Sequence, residues 1–221
     1  MPANIAGIAH SGEALSIAVA DRLCNILVDP LPETVTVEGR EYSINSDFRA
    51  GVLFEMMMND KSQSNEDIIR QTLDIFFSEE IPDDLESAIN EILWFYRCGY
   101  EPQKRRSRRG PEKAADDRVF DYDIDGPLIY AAFKSQYGVD LQDIEYLHWW
   151  KFTAMFQGLH DDEQISKIIS YRSMDLGKIS DKEMRSHYAA LKSRYALPDG
   201  RTVEEKVNNA GSAFAGGLCY D

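Results

Sequence analysis

The sequence predicts a mainly α protein, with about seven helices in one globular domain and a short N-terminal β-hairpin. Apolar residues recur at helical spacing in most segments after residue 44. One short segment before that point alternates between apolar and polar residues on either side of a Gly-containing turn. Hydrophobic residues make up 43% of the 221 residues, enough for a core without disulfides or metals.

The composition divides the chain into a domain and three less patterned segments. The α-rich domain is predicted to span residues 25–198. Residues 1–24 are small and weakly patterned, which predicts a loose N-terminal extension. Residues 199–221 are rich in Gly and Ala and predict a flexible C-terminal tail. Residues 100–118 have almost no apolar content, so we expect an exposed basic loop within the domain.

The hairpin is predicted from alternation around Glu38 and Gly39. Before it, Pro30 and Pro32 exclude a helix and favour an extended segment. Gly39 supplies the positive φ that a two-residue turn needs. The apolar members of the alternating pattern are Val35, Val37, Tyr42 and Ile44.

Three helices are predicted between the hairpin and the basic loop. Each begins at side chains that can cap a helix N-terminus: Asn45 or Ser46, then Ser64, then Asp83 or Asp84. The first ends near Asn59, and Gly99 is a natural end for the third. The second has an apolar stripe of Ile69, Leu73, Phe76 and Phe77, and the third one of Leu85, Ile89, Ile92, Leu93 and Tyr96.

Four further helices are predicted after the basic loop. Their expected N-termini are Asp123 or Asp125, about Asp143, a capping box from Asp161, and a capping box from Ser180. Pro127 would then fall in the first turn of its helix, where proline is tolerated. The helix over 143–158 is apolar on nearly every side, which indicates a central position.

The most aromatic part of that central helix is interpreted as core. Adjacent Trp residues on a helix point about 100° apart and contact different neighbours, so packing is favoured over a ligand cage. His148 is expected to be a hydrogen-bonded core or boundary residue. The predicted core residues here are Leu147, Trp149, Trp150, Phe152 and Phe156.

The charge is −14 and is unevenly distributed. Residues 1–103 have 6 basic and 19 acidic side chains, whereas residues 104–113 have 6 basic and 1 acidic. Such an acidic body repels nucleic acid and anionic membranes, so nucleic-acid binding would depend on that short segment. Its basic run can be a solvated loop, a loop attracted to the acidic half, a protein-partner site or a nucleic-acid site. The run comprises Lys104, Arg105, Arg106, Arg108 and Arg109.

No pattern nominates an enzyme, a metal site or a cofactor. Asp121, Asp123, Asp125 and Gly126 resemble the start of an EF-hand loop, but its twelfth position is Ala132 instead of Glu. Nucleophile elbows and phosphate-binding Gly loops are absent from the sequence. Three isolated cysteines, Cys24, Cys98 and Cys219, indicate reduced thiols in a cytosolic protein. No run approaches the roughly 18 apolar residues of a membrane helix, so we expect no membrane association.

Several segments together resemble the bacteriophage gene-product-fifteen family of tailed phages and prophages of Gram-positive bacteria. They are Leu27-Val-Asp-Pro-Leu-Pro, Tyr42-Ser-Ile-Asn-Ser-Asp-Phe-Arg49, Tyr137-Gly-Val-Asp-Leu, Leu147-His-Trp-Trp-Lys-Phe152, Ser170-Tyr-Arg172, and 192–198. The resemblance covers about residues 25–198. It implies a tail-module protein. The position of the family's genes implies a chaperone that coats the tape-measure protein and helps tube subunits polymerise.

The resemblance also implies partners and a place of action. The expected partners are the tape-measure protein and the tail-tube protein, in the host bacterial cytoplasm, and self-association into a homo-oligomer stays open. Met56, Met57 and Met58 could form a deformable contact face, although core filling is the favoured interpretation. The alternatives are a structural component of the assembled tail and a nucleic-acid-associated factor acting through the basic run.

Overall fold

A β-hairpin and seven α-helices form the part of the chain that the computed structural model describes, which is residues 24–60, 62–100 and 118–198. The mainly α fold with an N-terminal hairpin is therefore confirmed. Most of three predicted segments lies outside these residues: the N-terminal extension except Cys24, the basic loop except its ends, and the C-terminal tail. The elements are β1 Thr34–Val37, β2 Arg40–Ser43, α1 Phe48–Asn59, α2 Asn65–Phe76, α3 Leu85–Tyr96, α4 Tyr122–Tyr137, α5 Trp149–Gln157, α6 Gln164–Ser173 and α7 Lys182–Arg194.

The hairpin has the turn that the sequence predicts. β1 and β2 pair antiparallel, with Val35 opposite Tyr42. Glu38 and Gly39 have φ of 49° and 80°, the double left-handed turn that matches strand twist. Val35 and Val37 are buried and β1 packs against α3, which supplies the support that an isolated hairpin lacks.

Helices α1, α3 and α4 contact α5, whose aromatic residues lie in the core. The ring of Phe152 stacks on those of Phe48 and Phe133, with centroids 4.9 and 5.0 Å away. Trp149 and Trp150 each donate an indole N–H to a carbonyl at the end of α3, at 2.8 and 2.7 Å. The predicted core is confirmed for Leu147, Trp149, Trp150 and Phe152, whereas Phe156 is only partly buried against it.

Several predicted helix starts are wrong by a few residues. The first helix is capped by Asp47 instead of Asn45 or Ser46, and α4 by Asp121 instead of Asp123 or Asp125. The predicted capping boxes at Asp161 and Ser180 are also wrong: the caps are Glu163, with no side-chain bond, and Asp181. The caps at Ser64 and Asp84 are confirmed.

The largest correction concerns the start of α5. The predicted helix over 143–158 begins only at Trp149, because the preceding residues form an extended bridge to the N-terminus of α1. Phe48 N donates to Leu147 O, and Trp149 N donates to Ser46 O, both at 2.8 Å. Tyr146 is consequently exposed instead of lying inside a helix.

Two apolar stripes are also less buried than expected. Ile69 of α2 and Leu85 of α3 are exposed, while Leu73 and Ile92 from the same predicted stripes are buried. The sequence pattern therefore identifies both helices, but each has an apolar residue that stays 43 to 45% exposed.

Candidate functional site

An apolar groove lies between α1 and α4. It has a volume of about 680 Å³ and an apolar floor. Buried residues from three helices and a loop form that floor: Phe48, Ile129, Leu141 and Phe152. Leu53 forms part of the rim and leaves 54% of its surface exposed. A large apolar side chain beside an apolar groove is the kind of surface that binds another protein.

The α4 wall of the groove contains Gly126 and Pro127. Pro127 is the sixth residue of α4, so its predicted position in the first turn is wrong. Proline has no N–H, and the Asp123 carbonyl, four residues earlier, therefore has no helical donor. A side chain before proline clashes in the helical conformation, which explains glycine at 126. A Cβ there would meet no other atom within 4 Å, so this wall faces open space.

The three consecutive methionines of α1 separate onto different faces. Met57 is buried, only 6% exposed, and its assignment to a partner-binding face is therefore corrected to the core. Met56 and Met58 are exposed. Met56 follows Leu53 by three residues and lies on the same helix face, so it extends the apolar rim by one turn.

Glu55 of α1 and Tyr96 of α3 form a half-buried polar pair. The Tyr96 hydroxyl donates to the Glu55 carboxylate, and burial raises the pKa of Glu55 above its ordinary value. Burial likewise raises the pKa of Tyr122. Tyr122 lines both the α1–α4 groove and a neighbouring cavity of about 670 Å³. Tyr100 and Phe120, near the two ends of the basic loop, also line that cavity.

A buried ion pair fixes the residues that follow the basic loop. Arg172 of α6 binds Asp125 of α4 through two hydrogen bonds of 2.5 and 3.0 Å, and Asp125 is 2% exposed. Arg172 also donates to the carbonyls of Val119 and Tyr195, at 3.2 and 2.6 Å. Asp125 therefore joins α4 to α6 and is not the helix cap that the sequence predicts. The partner lies 47 residues away, so no local pattern could have indicated it.

His148 is a buried capping residue, which confirms the sequence interpretation. Its Nδ1 accepts from Trp150 N at 3.0 Å, so Nε2 carries the proton and donates to Pro32 O, also at 3.0 Å. Burial lowers the pKa of His148. The neutral ring thus joins α5 to the segment that precedes the hairpin.

The described residues show no group of His, Cys, Asp or Glu placed to hold a metal ion. Asp121 of the EF-hand-like run accepts hydrogen bonds from the first turn of α4, and Asp125 pairs with Arg172. Cys24 and Cys98 are half-buried. In the described part of the chain, no helix has both the length and the apolar character needed to cross a membrane.

The predicted partner residues of the basic run, Lys104 to Arg109, lie outside the described residues. Helical periodicity alone does not single out Leu53 as exposed. The signal was present: six of the seven residues from Val52 to Met58 are apolar, more than one buried face needs.

Comparison with known proteins identifies the family. Residues 27–197 match the family model described as Bacteriophage Gp15 protein. No curated protein and no solved structure gives a significant match. The matched range covers well over half of the 221 residues and includes every helix and strand described above. The chain therefore belongs to the bacteriophage Gp15 protein family and is a phage protein of structural or tail-related type.

Proposed function

We propose that this chain is a tail-assembly chaperone, and that a helical segment of the tape-measure protein binds in the α1–α4 groove. The observation that carries the proposal is the open apolar groove with Leu53 exposed on its rim. Membership of a phage family supports the setting, and the groove supports binding of an apolar client.

The dimensions of the groove suit a helix. Residues 48–56 of α1, from the groove lining to Met56, extend about 13 Å at 1.5 Å per residue, which matches roughly two and a half turns of a client helix. Apolar client residues spaced three and four apart would contact the floor and Leu53. Covering the exposed half of Leu53 would contribute about 1 kcal/mol. Met56, which is unbranched, can adjust to client side chains of different shape.

This function requires binding and no covalent chemistry. We accordingly propose a non-enzymatic protein without a cofactor, which acts in the host bacterial cytoplasm before the tail is complete. The tail-tube protein is a second proposed partner, because tube subunits polymerise around the occupied tape measure.

A structural component of the assembled tail is the alternative. The two functions differ in the finished particle, since a chaperone is released and a structural component is retained. Mass spectrometry of purified virions separates them: the chaperone proposal expects the chain to be absent. A nucleic-acid function through Lys104 to Arg109 would instead show non-specific DNA binding that weakens steeply with salt.

The direct test is co-expression of the full chain with the tape-measure protein of the same phage, followed by pull-down and sizing. We expect a soluble complex with several copies of this chain per tape measure. Replacing Leu53 with serine should weaken binding about fivefold, because about 1 kcal/mol of apolar burial is lost. Met184→Ser is the matched control, because Met184 of α7 is equally exposed at 53%.

Two results would overturn the proposal. One is no complex when both proteins are folded. The other is equal capture by the Leu53→Ser variant and the Met184→Ser control, which would exclude the α1–α4 groove as the binding site.

A further inference from the structure

A second apolar groove lies between α2 and α3, away from the α1–α4 groove. Ile69, Ile81 and Leu85 are each 43 to 45% exposed around it, and the buried Leu73 forms its floor. Its volume is about 330 Å³. The three exposed residues come from α2, from the connector and from α3, so their proximity is a product of the fold.

The rim of this groove is acidic. Residues 62–96 have nine acidic side chains and one basic side chain, Arg70. Arg70 also lines the groove and is paired with Asp67 at 3.0 Å. Glu66 and Asp74 line the groove and form no ion pair with another described residue.

Helix capping does not explain the whole cluster. Asp67 and Asp84 serve the N-termini of α2 and α3. Asp74, however, lies in the last turn of α2, where the helix dipole disfavours an acid and where no residue is basic. An exposed anion in this position beside exposed apolar residues is complementary to a cationic partner.

We propose that the α2–α3 groove binds a basic amphipathic helix of a partner protein. The apolar stripe of that helix covers Ile69, Ile81 and Leu85, and flanking Lys or Arg residues contact Glu66 and Asp74. A second copy of this chain is a poor occupant, because its own surface here is equally acidic. This proposal does not depend on the proposed function, since it concerns a different groove.

The test uses the full chain and labelled synthetic helical peptides of about 18 residues, roughly 27 Å long. One peptide has leucine at helical spacing with lysine at the remaining positions, and a second has the same composition in scrambled order. Fluorescence anisotropy should show at least tenfold tighter binding of the amphipathic peptide, with an affinity that falls as salt rises.

Variants then locate the site. Leu85→Ser, and independently Ile81→Ser, should weaken binding about tenfold, while Met184→Ser leaves it unchanged. Asp74→Asn should reduce the salt dependence of binding. Both apolar positions are already exposed, so circular dichroism melts are expected to match the unaltered chain.

The proposal is overturned if the scrambled peptide binds equally, because binding would then report net charge alone. It is also overturned if Leu53→Ser, and not Leu85→Ser, weakens binding, which would place the peptide in the α1–α4 groove. A change of oligomeric state in the Leu85→Ser variant, measured by sedimentation, would assign the surface to a second copy and overturn it too.

Discussion

Replacing Gly51 with alanine tests how closely α1 packs against α5. A Cβ built at Gly51 lies 2.3 Å from Cε3 and 2.4 Å from Cδ2 of Trp149, whereas non-bonded carbons prefer about 3.5 to 4.0 Å. Trp149 cannot easily move away, because its indole N–H donates to Tyr96 O at 2.8 Å. Its ring is also stacked between those of Tyr96 and Phe152.

Two opposing effects set the size of the change. Alanine is favoured over glycine inside a helix by about 1 kcal/mol. Overpacking a well-packed core costs about 1 to 3 kcal/mol, and a contact this short belongs at the upper end. We therefore expect Gly51→Ala to lower the free energy of unfolding by about 2 kcal/mol. For a chain of this size, that corresponds to a melting temperature lower by about 4 to 8 °C.

Urea denaturation followed by circular dichroism measures this difference, and a double-mutant cycle assigns it to the ring. In a Trp149→Leu background the six-membered ring is gone, so Gly51→Ala should be neutral or stabilising. The reasoning is refuted if Gly51→Ala alone is as stable as the unaltered chain. It is also refuted if the same loss persists without the Trp149 ring.

Two further predictions concern charged groups. Asp125→Ala leaves Arg172 buried without its partner, so the free energy of unfolding should fall by about 3 to 5 kcal/mol. Removing both side chains should lower it by less than the sum of the two single losses, and urea denaturation measures all three values. Hydrogen bonds from Tyr130 Oη and the backbone N–H of Gln142 lower the pKa of Asp140 to about 2. The pKa of an aspartate in the unfolded chain is about 3.9. The difference in unfolding free energy between the unaltered chain and Asp140→Asn should therefore reach its full size above that pH. It should disappear as pH falls to about 2, and a flat difference between pH 5 and pH 2 would contradict this.

The elements of this fold are predictable from the sequence, whereas the choice of cap is not. Periodicity locates α1, but Asn45, Ser46 and Asp47 are all plausible caps by composition. Asp47 caps the helix, and its other oxygen also accepts from Leu147 N at 3.1 Å, 100 residues away. A contact of that kind is invisible to a local pattern.

The exposure of individual apolar residues is the second feature that local sequence patterns do not predict. A stripe at helical spacing shows which face a helix can bury, but not whether the fold covers all of it. Ile69 and Leu85 fit their stripes and are exposed, because α2 and α3 meet below them at Leu73. The α2–α3 groove therefore lies where the pattern predicts more burial than the described residues provide.

The packing order of the helices makes the two grooves separable. Helix α1 packs against both α4 and α2, and α2 packs against α3, so the order is α4, α1, α2, α3. The first groove lies between the first two helices of that order and the second between the last two. Leu53 and Leu85 therefore belong to surfaces that share no lining residue. We expect a substitution that abolishes binding at one groove to leave binding at the other unchanged.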